Sequence, residues 1–106
     1  LGGPLVTIAT IADARSFHLD HVQRSTLLQE AGLHAELLCF EAGQREEEAS
    51  RDGASLYQVL EGEALLRIGE ERQRLGKGKL VSIPPGQTHV IENAGGGLLV
   101  VLATRT

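Results

Sequence analysis

Gly78-Lys79-Leu80-Val81-Ser82-Ile83-Pro84-Pro85-Gly86-Gln87-Thr88-His89-Val90-Ile91-Glu92-Asn93 is the stretch whose reading decides the fold. Two prolines in succession fix two φ angles, so a strand over Leu80–Ile83 must end there. Gly86 permits the reversal that follows. The chain then re-enters as a second short strand, Thr88–Glu92. Side chains alternate along a strand, which puts His89 and Ile91 on one face and Thr88, Val90 and Glu92 on the other.

Outward from this hairpin the same grammar repeats. Apolar runs of four to eight residues cover Ser25–Glu30, Leu33–Ala42, Ser55–Leu60, Ala64–Ile68, Arg72–Leu75 and Leu98–Ala103. Every connector between runs contains glycine, as expected of an all-β sandwich or barrel. Most connectors are too short to hold a crossover helix, so the strands pair as antiparallel neighbours. About eight short strands in one small domain predict a closed barrel or jelly roll, which protects sheet edges. The expected layout is an irregular arm over residues 1–24 and a barrel over residues 25–106. Within the arm, Val6–Ile11 reads as a short strand and Asp13–Gln23 as irregular chain with a helical turn.

Composition removes several functions. The chain has 106 residues, 17 of them leucine, with no Met or Trp and only three aromatics of the Phe, Tyr and Trp type, so its core must be aliphatic. Its net charge is −4. No basic stripe is available for phosphate backbones, and three aromatics are too few for base stacking, so nucleic acid is not the expected partner. No apolar run approaches the roughly 20 residues needed to cross a bilayer, so no membrane partner is expected. The first residues lack the positive flank and apolar region of a secretory leader. The single cysteine, Cys39, sits in Leu37-Leu38-Cys39-Phe40 and reads as a small buried hydrophobe. The expected compartment is the reduced cytoplasm.

The quoted stretch resembles the second motif of the cupin family: G, five residues, P-x-G, two residues, H, three residues, N. Gly78, Pro84, Gly86, His89 and Asn93 all fall in register. Gly43-Gln44 resembles the start of the first cupin motif, and Tyr57–Glu63 resembles its end. The resemblance runs from about Leu33 to Thr104. It implies a cupin-type jelly-roll barrel in one domain, commonly a homodimer, with His89 on the inner face at the barrel mouth and Asn93 capping the next turn.

In metal-binding cupins the first motif supplies H-x-H and a later Glu, which close around an ion with the His of the second motif. This chain departs from that pattern. One register puts Ala49, Arg51 and Ser55 at the three positions; the other puts Glu48, Ser50 and Ala54 there. Neither supplies histidine. A single imidazole does not hold a divalent ion tightly, and Arg51 would repel one. No metal and no cofactor are therefore expected. The weaker alternative has Glu48, from the run Glu46-Glu47-Glu48, reaching inward to join His89. The run itself reads more simply as a solvated loop face. His18 and His21 have metal-compatible spacing but lie in irregular chain, and His34 could face either way on its strand.

Without metal, the expected site is a concave pocket lined by His89, Tyr57, Arg51 and Ser55, with Tyr57, Ser55 and Val59 on one strand face. An Arg and a His aimed into an apolar cup suit a small organic molecule, an anion included. The alternative is a cupin enzyme of isomerase, lyase or dioxygenase type, using His89 as acid–base or within an atypical metal site; catalytic residues are otherwise unassigned. As an accessible site residue, His89 would cost no more than about 1 kcal/mol to remove. The arm could lend a strand to a second subunit.

Overall fold

A computed structural model describes residues 6–48 and 52–106. After a 3₁₀ turn at Ile11–Ala14 come nine strands: β1 (Gln23–Glu30), β2 (Leu33–Phe40), β3 (Arg45–Glu48), β4 (Ser55–Glu61), β5 (Glu63–Ile68), β6 (Glu71–Gly76), β7 (Leu80–Ile83), β8 (His89–Asn93) and β9 (Leu99–Arg105). They form two sheets, a five-stranded one in the order β1-β2-β9-β4-β7 and a four-stranded one in the order β3-β8-β5-β6. All pairings are antiparallel. The two sheets face each other across one core, which is the jelly-roll arrangement expected from the turn spacing. No helix of the described residues is long and apolar enough to cross a membrane.

Alternation assigns each strand an inner and an outer face. Leu38 and Phe40 of β2, Tyr57 and Val59 of β4, Leu66 of β5, Ile91 of β8, and Leu99 and Val101 of β9 meet in the barrel core. The other face of β2 and β9 gives Leu37, Cys39 and Val100, a second cluster outside the five-stranded sheet. Ala14 and Phe17 of the arm pack over it, with Leu27 and Leu60. Cys39 is wholly buried there, and burial pushes its thiol pKa up.

Two sequence expectations change. Val6–Ile11 form no strand: none of the described residues pairs with them as a ladder partner, and Ile11 opens the 3₁₀ turn. The run Glu46-Glu47-Glu48 is not a solvated loop: it lies in β3, paired in register with β8, so that Glu48 stands opposite His89. Alternation turns Glu46 and Glu48 inward and Glu47 outward, and Glu48 is only 3% exposed.

Glycine is required where strands cross closely. Gly62, between β4 and β5, has φ +84°, and a Cβ there would lie 2.2 Å from the Leu98 carbonyl oxygen. Asn93 fastens the same end of the barrel. Its amide nitrogen donates to the carbonyls of Gly97 (2.8 Å), Glu41 (3.1 Å) and Phe40 (3.3 Å), and its oxygen accepts from Gly95 N–H (3.2 Å). This is the turn-capping role expected of that position. Gln44 ties the arm to the barrel, donating to the carbonyl oxygens of His18 (2.8 Å) and Leu19 (3.3 Å).

Candidate functional site

The polar end of the barrel interior is built by continuing the inner parity of each strand past the apolar core. Beyond Leu38 on β2 that parity reaches Glu36 and His34. Beyond Ala103 on β9 it reaches Arg105, and on β4 it reaches Tyr57 and Ser55. β8 contributes His89, β3 contributes Glu46 and Glu48, and β1 contributes Arg24. Six of these are buried: Glu36, Glu48, Ser55, Tyr57, His89 and Arg105.

Tyr57 and His89 form the inner layer. His89 Nδ1 lies 2.9 Å from the Gln87 carbonyl oxygen, which can only accept, so the neutral ring carries its hydrogen on Nδ1. Nε2 then presents a lone pair, and the Tyr57 hydroxyl donates to it at 2.8 Å. Burial, followed by the nearby Glu48 charge, raises the Tyr57 pKa, which keeps that hydroxyl protonated. His89 is 4% exposed and both ring nitrogens are engaged.

An ion-pair lattice lies against this layer. Arg105 donates through Nη1 to Glu36 Oε1 (2.5 Å) and through Nη2 to Glu48 Oε1 (2.9 Å), and its Nη2 lies 3.5 Å from the Tyr57 oxygen. Arg24 donates through Nη2 to Glu48 and also pairs with Glu36 (3.5 Å) and Glu46 (3.3 Å). His34 Nε2 stands 3.5 Å from Glu36 Oε2. Burial alone would raise the Glu36 pKa, but the Arg105 hydrogen bond and the charges of Arg24 and Arg105 outweigh it and hold Glu36 below the usual carboxylate range. Burial works against the Arg105 charge, yet Glu36, Glu48 and Tyr57 raise its pKa. Glu46 goes the other way: burial raises its pKa and Arg24 offsets only part of the shift.

Open space lies on the far side of the lattice. A cavity of about 420 Å³ is lined by Arg24, Gln29, His34, Glu36, Asp52, Gly53, Arg105 and Thr106. The barrel axis is filled: the space bounded by Tyr57, Val59, Ala64, Leu66, Leu75, Val81, Ile91 and Val101 is about 10 Å³, near the minimum for one water. Of the residues singled out in the sequence, Tyr57 and His89 are in contact, and Ser55 is buried on the same strand face as Tyr57. Glu48 faces the same interior, with its carboxylate on Arg24 and Arg105. Arg51 lies outside the described residues. His34 faces the cavity. His18 and His21 stack on one another, ring centroids 4.0 Å apart, on an exposed segment.

The described donors do not assemble a divalent-ion site. Among the described residues no group of three or more His, Cys, Asp or Glu side chains could hold a metal ion. The Nε2 lone pair of His89 is taken by Tyr57, and Glu48 is held by two guanidinium groups that repel a second cation.

Two facing antiparallel sheets with a buried polar end define a small jelly-roll barrel protein. The chain belongs to the cupin family: the sequence model of the cupin domain matches residues 36–104, more than half of it. Solved structures share the fold. The Thermus thermophilus protein TT1209 is 20% identical, with a TM-score of 0.87 over 95% of this chain and 97% of its own. A cupin superfamily protein of Desulfitobacterium hafniense is 24% identical, with a TM-score of 0.78 over 95% of this chain and 91% of its own. An RmlC-like cupin protein of Desulfovibrio desulfuricans is 18% identical, with a TM-score of 0.83 over 96% of this chain and 97% of its own. Comparison with the curated proteins finds no match.

Proposed function

We propose that this protein is a metal-free cupin that binds a small polar organic molecule in the cavity at the mouth of its barrel. The observation that carries the reading is the separation of the cavity from His89. The open 420 Å³ falls within the usual size of small-molecule sites and is lined by charged and amide side chains. His89 is sealed behind Arg105 and Glu48. The enzyme alternative, with His89 as acid–base, gains no support from this arrangement, because a reacting group must reach the imidazole. A small anion is a candidate ligand through Arg24 and Arg105, which line the cavity. The unpaired, buried Cys39 supports a cytoplasmic setting.

The working form in this reading is a homodimer. Val6 and Ile8 on the arm are 77% and 86% exposed and offer apolar area to a second subunit. An apolar groove of about 320 Å³ lies beside the arm, with Ile11, Leu37, Leu60 and Val100 in its walls. Sedimentation velocity on the full chain checks this part, and a monomer mass at all concentrations would remove it.

The binding reading is tested by thermal-shift screening of carboxylates, amino acids, polyols and amines. Variants Gln29→Ala and His34→Ala should abolish the stabilisation given by any hit, whereas His89→Ala, although less stable, should keep it. Stabilisation that survives both cavity changes and vanishes with His89→Ala would overturn the reading.

A further inference from the structure

The lattice places the permanent positive charge of Arg105 where oxygens from three strands converge. Glu36 Oε1 from β2, Glu48 Oε1 from β3 and the Tyr57 oxygen from β4 lie 2.5, 2.9 and 3.5 Å from the η nitrogens of Arg105, and Tyr57 is hydrogen-bonded to His89 of β8. An oxygen-rich shell backed by a histidine is the environment that hard and borderline divalent cations take. A guanidinium, unlike an ammonium, does not lose its charge on burial. We infer that Arg105 is a tethered stand-in for a bound cation, holding by charge the acidic shell that would otherwise need an ion or protons.

The charge balance of the interior supports this. Glu36 and Glu48 are buried and each pairs with both Arg24 and Arg105, while the half-buried Glu46 pairs with Arg24. Removing Arg105 takes its hydrogen bonds and its charge from both Glu36 and Glu48. A buried carboxylate that loses a positive neighbour takes up a proton or a cation more readily. The described titratable and charged groups around Arg105 are Glu36 and His34 on β2, Glu48 on β3, Tyr57 on β4 and Asp52 in the cavity wall, with Glu46 on β3, Arg24 on β1 and His89 on β8 one contact further out. The inference rests on the metal-free reading above, and the experiment separates the two.

Three full-length proteins are compared: the wild type, Arg105→Met, which keeps volume and drops the charge, and Glu36→Gln/Arg105→Met, which drops one charge of each sign. Urea unfolding is measured at pH 7.5 and pH 5.5, and MnCl₂ and ZnCl₂ are titrated calorimetrically. The wild type should take up no stoichiometric metal. Arg105→Met should have a lower urea midpoint, recovered in part at pH 5.5, at which the wild type shows no comparable gain. The double variant should regain most of the midpoint at pH 7.5. If Arg105→Met does not fold, recovery of a folded double variant still carries the inference. A double variant as unstable as the single one, with no response to pH, would mean that Arg105 acts by packing; the inference then falls while the metal-free reading stands. One equivalent of either metal in the wild type, lost in His89→Ala, would remove both.

Discussion

Replacing Tyr57 by Phe deletes one oxygen from the centre of the site and leaves the ring in place. The hydroxyl donates to His89 Nε2 at 2.8 Å, whereas its 3.5 Å approach to Arg105 is too long to add much. An ordinary hydrogen bond contributes about 1 kcal/mol net, and a buried acceptor left without a donor costs about 1–3 kcal/mol. His89 is 4% exposed and the adjacent barrel space is about 10 Å³, so water has little room to replace the donor. The variant should therefore lose about 2–3 kcal/mol. In urea this appears as a midpoint lowered by about 1–2 M at unchanged slope. A double-mutant cycle with His89→Leu should give a coupling of at least about 1 kcal/mol, since the two side chains are in direct contact. A midpoint within about 0.3 M of the wild type would refute the claim that this bond is buried and dry. His89→Ala should likewise cost well over the 1 kcal/mol expected of an accessible site residue, because it strips the Tyr57 hydroxyl of its acceptor.

Other outcomes follow from the same geometry. Gly62→Ala should destabilise far more than Gly43→Ala: both glycines have positive φ, worth about 1–2 kcal/mol of strain, but only at Gly62 does the new Cβ meet a carbonyl at 2.2 Å. Parallel urea titrations would show equal losses if that approach is unimportant. Asn93→Ala should cost about 2–4 kcal/mol and speed hydrogen exchange at Gly95 N–H, since one side chain serves three carbonyls and that amide. Unchanged exchange would mean that the loop holds itself. The pH profile should have an acidic maximum. Glu46, with its folded pKa raised, gives stability that is full below its unfolded value and lost as pH rises through the folded one. Glu36, with its folded pKa lowered, gives stability that is full above its unfolded value and lost as pH falls through the folded one. Unfolding free energy should thus rise as pH falls toward the ordinary Glu range, about 4.3, and fall below it. Glu46→Gln should flatten the first limb, and an unchanged limb would assign it elsewhere.

Most of the fold was legible because its signals are local. Glycine connectors and period-two alternation mark eight of the nine strands among the described residues, and Pro84-Pro85-Gly86 marks the turn into β8. β3 was not legible. Arg45-Glu46-Glu47-Glu48 has no apolar residue, and its inward pair is acidic because its partners are arginines from β1 and β9, 24 and 57 residues away along the chain for Glu48. Such pairing leaves no trace in a local window. A usable signal did exist in parity. In Leu99-Val100-Val101-Leu102-Ala103-Thr104-Arg105, the residue in step with Leu99 and Val101 is Arg105; in β2, Glu36 is in step with Leu38 and Phe40. A charge on the core parity of an apolar strand demands a buried counter-charge. Following Arg105 and Glu36 would have led to the lattice, where following His89 led only to its inner layer.

What occupies the centre of the polar shell is read directly by an electron-density map collected above and below the manganese absorption edge, from crystals grown with excess Mn²⁺. The expected map shows the Arg105 guanidinium bridging Glu36 and Glu48, the Tyr57 hydroxyl on His89, and no anomalous peak among them. An anomalous peak ligated by Glu48 and His89, with Arg105 turned out toward solvent, would contradict it.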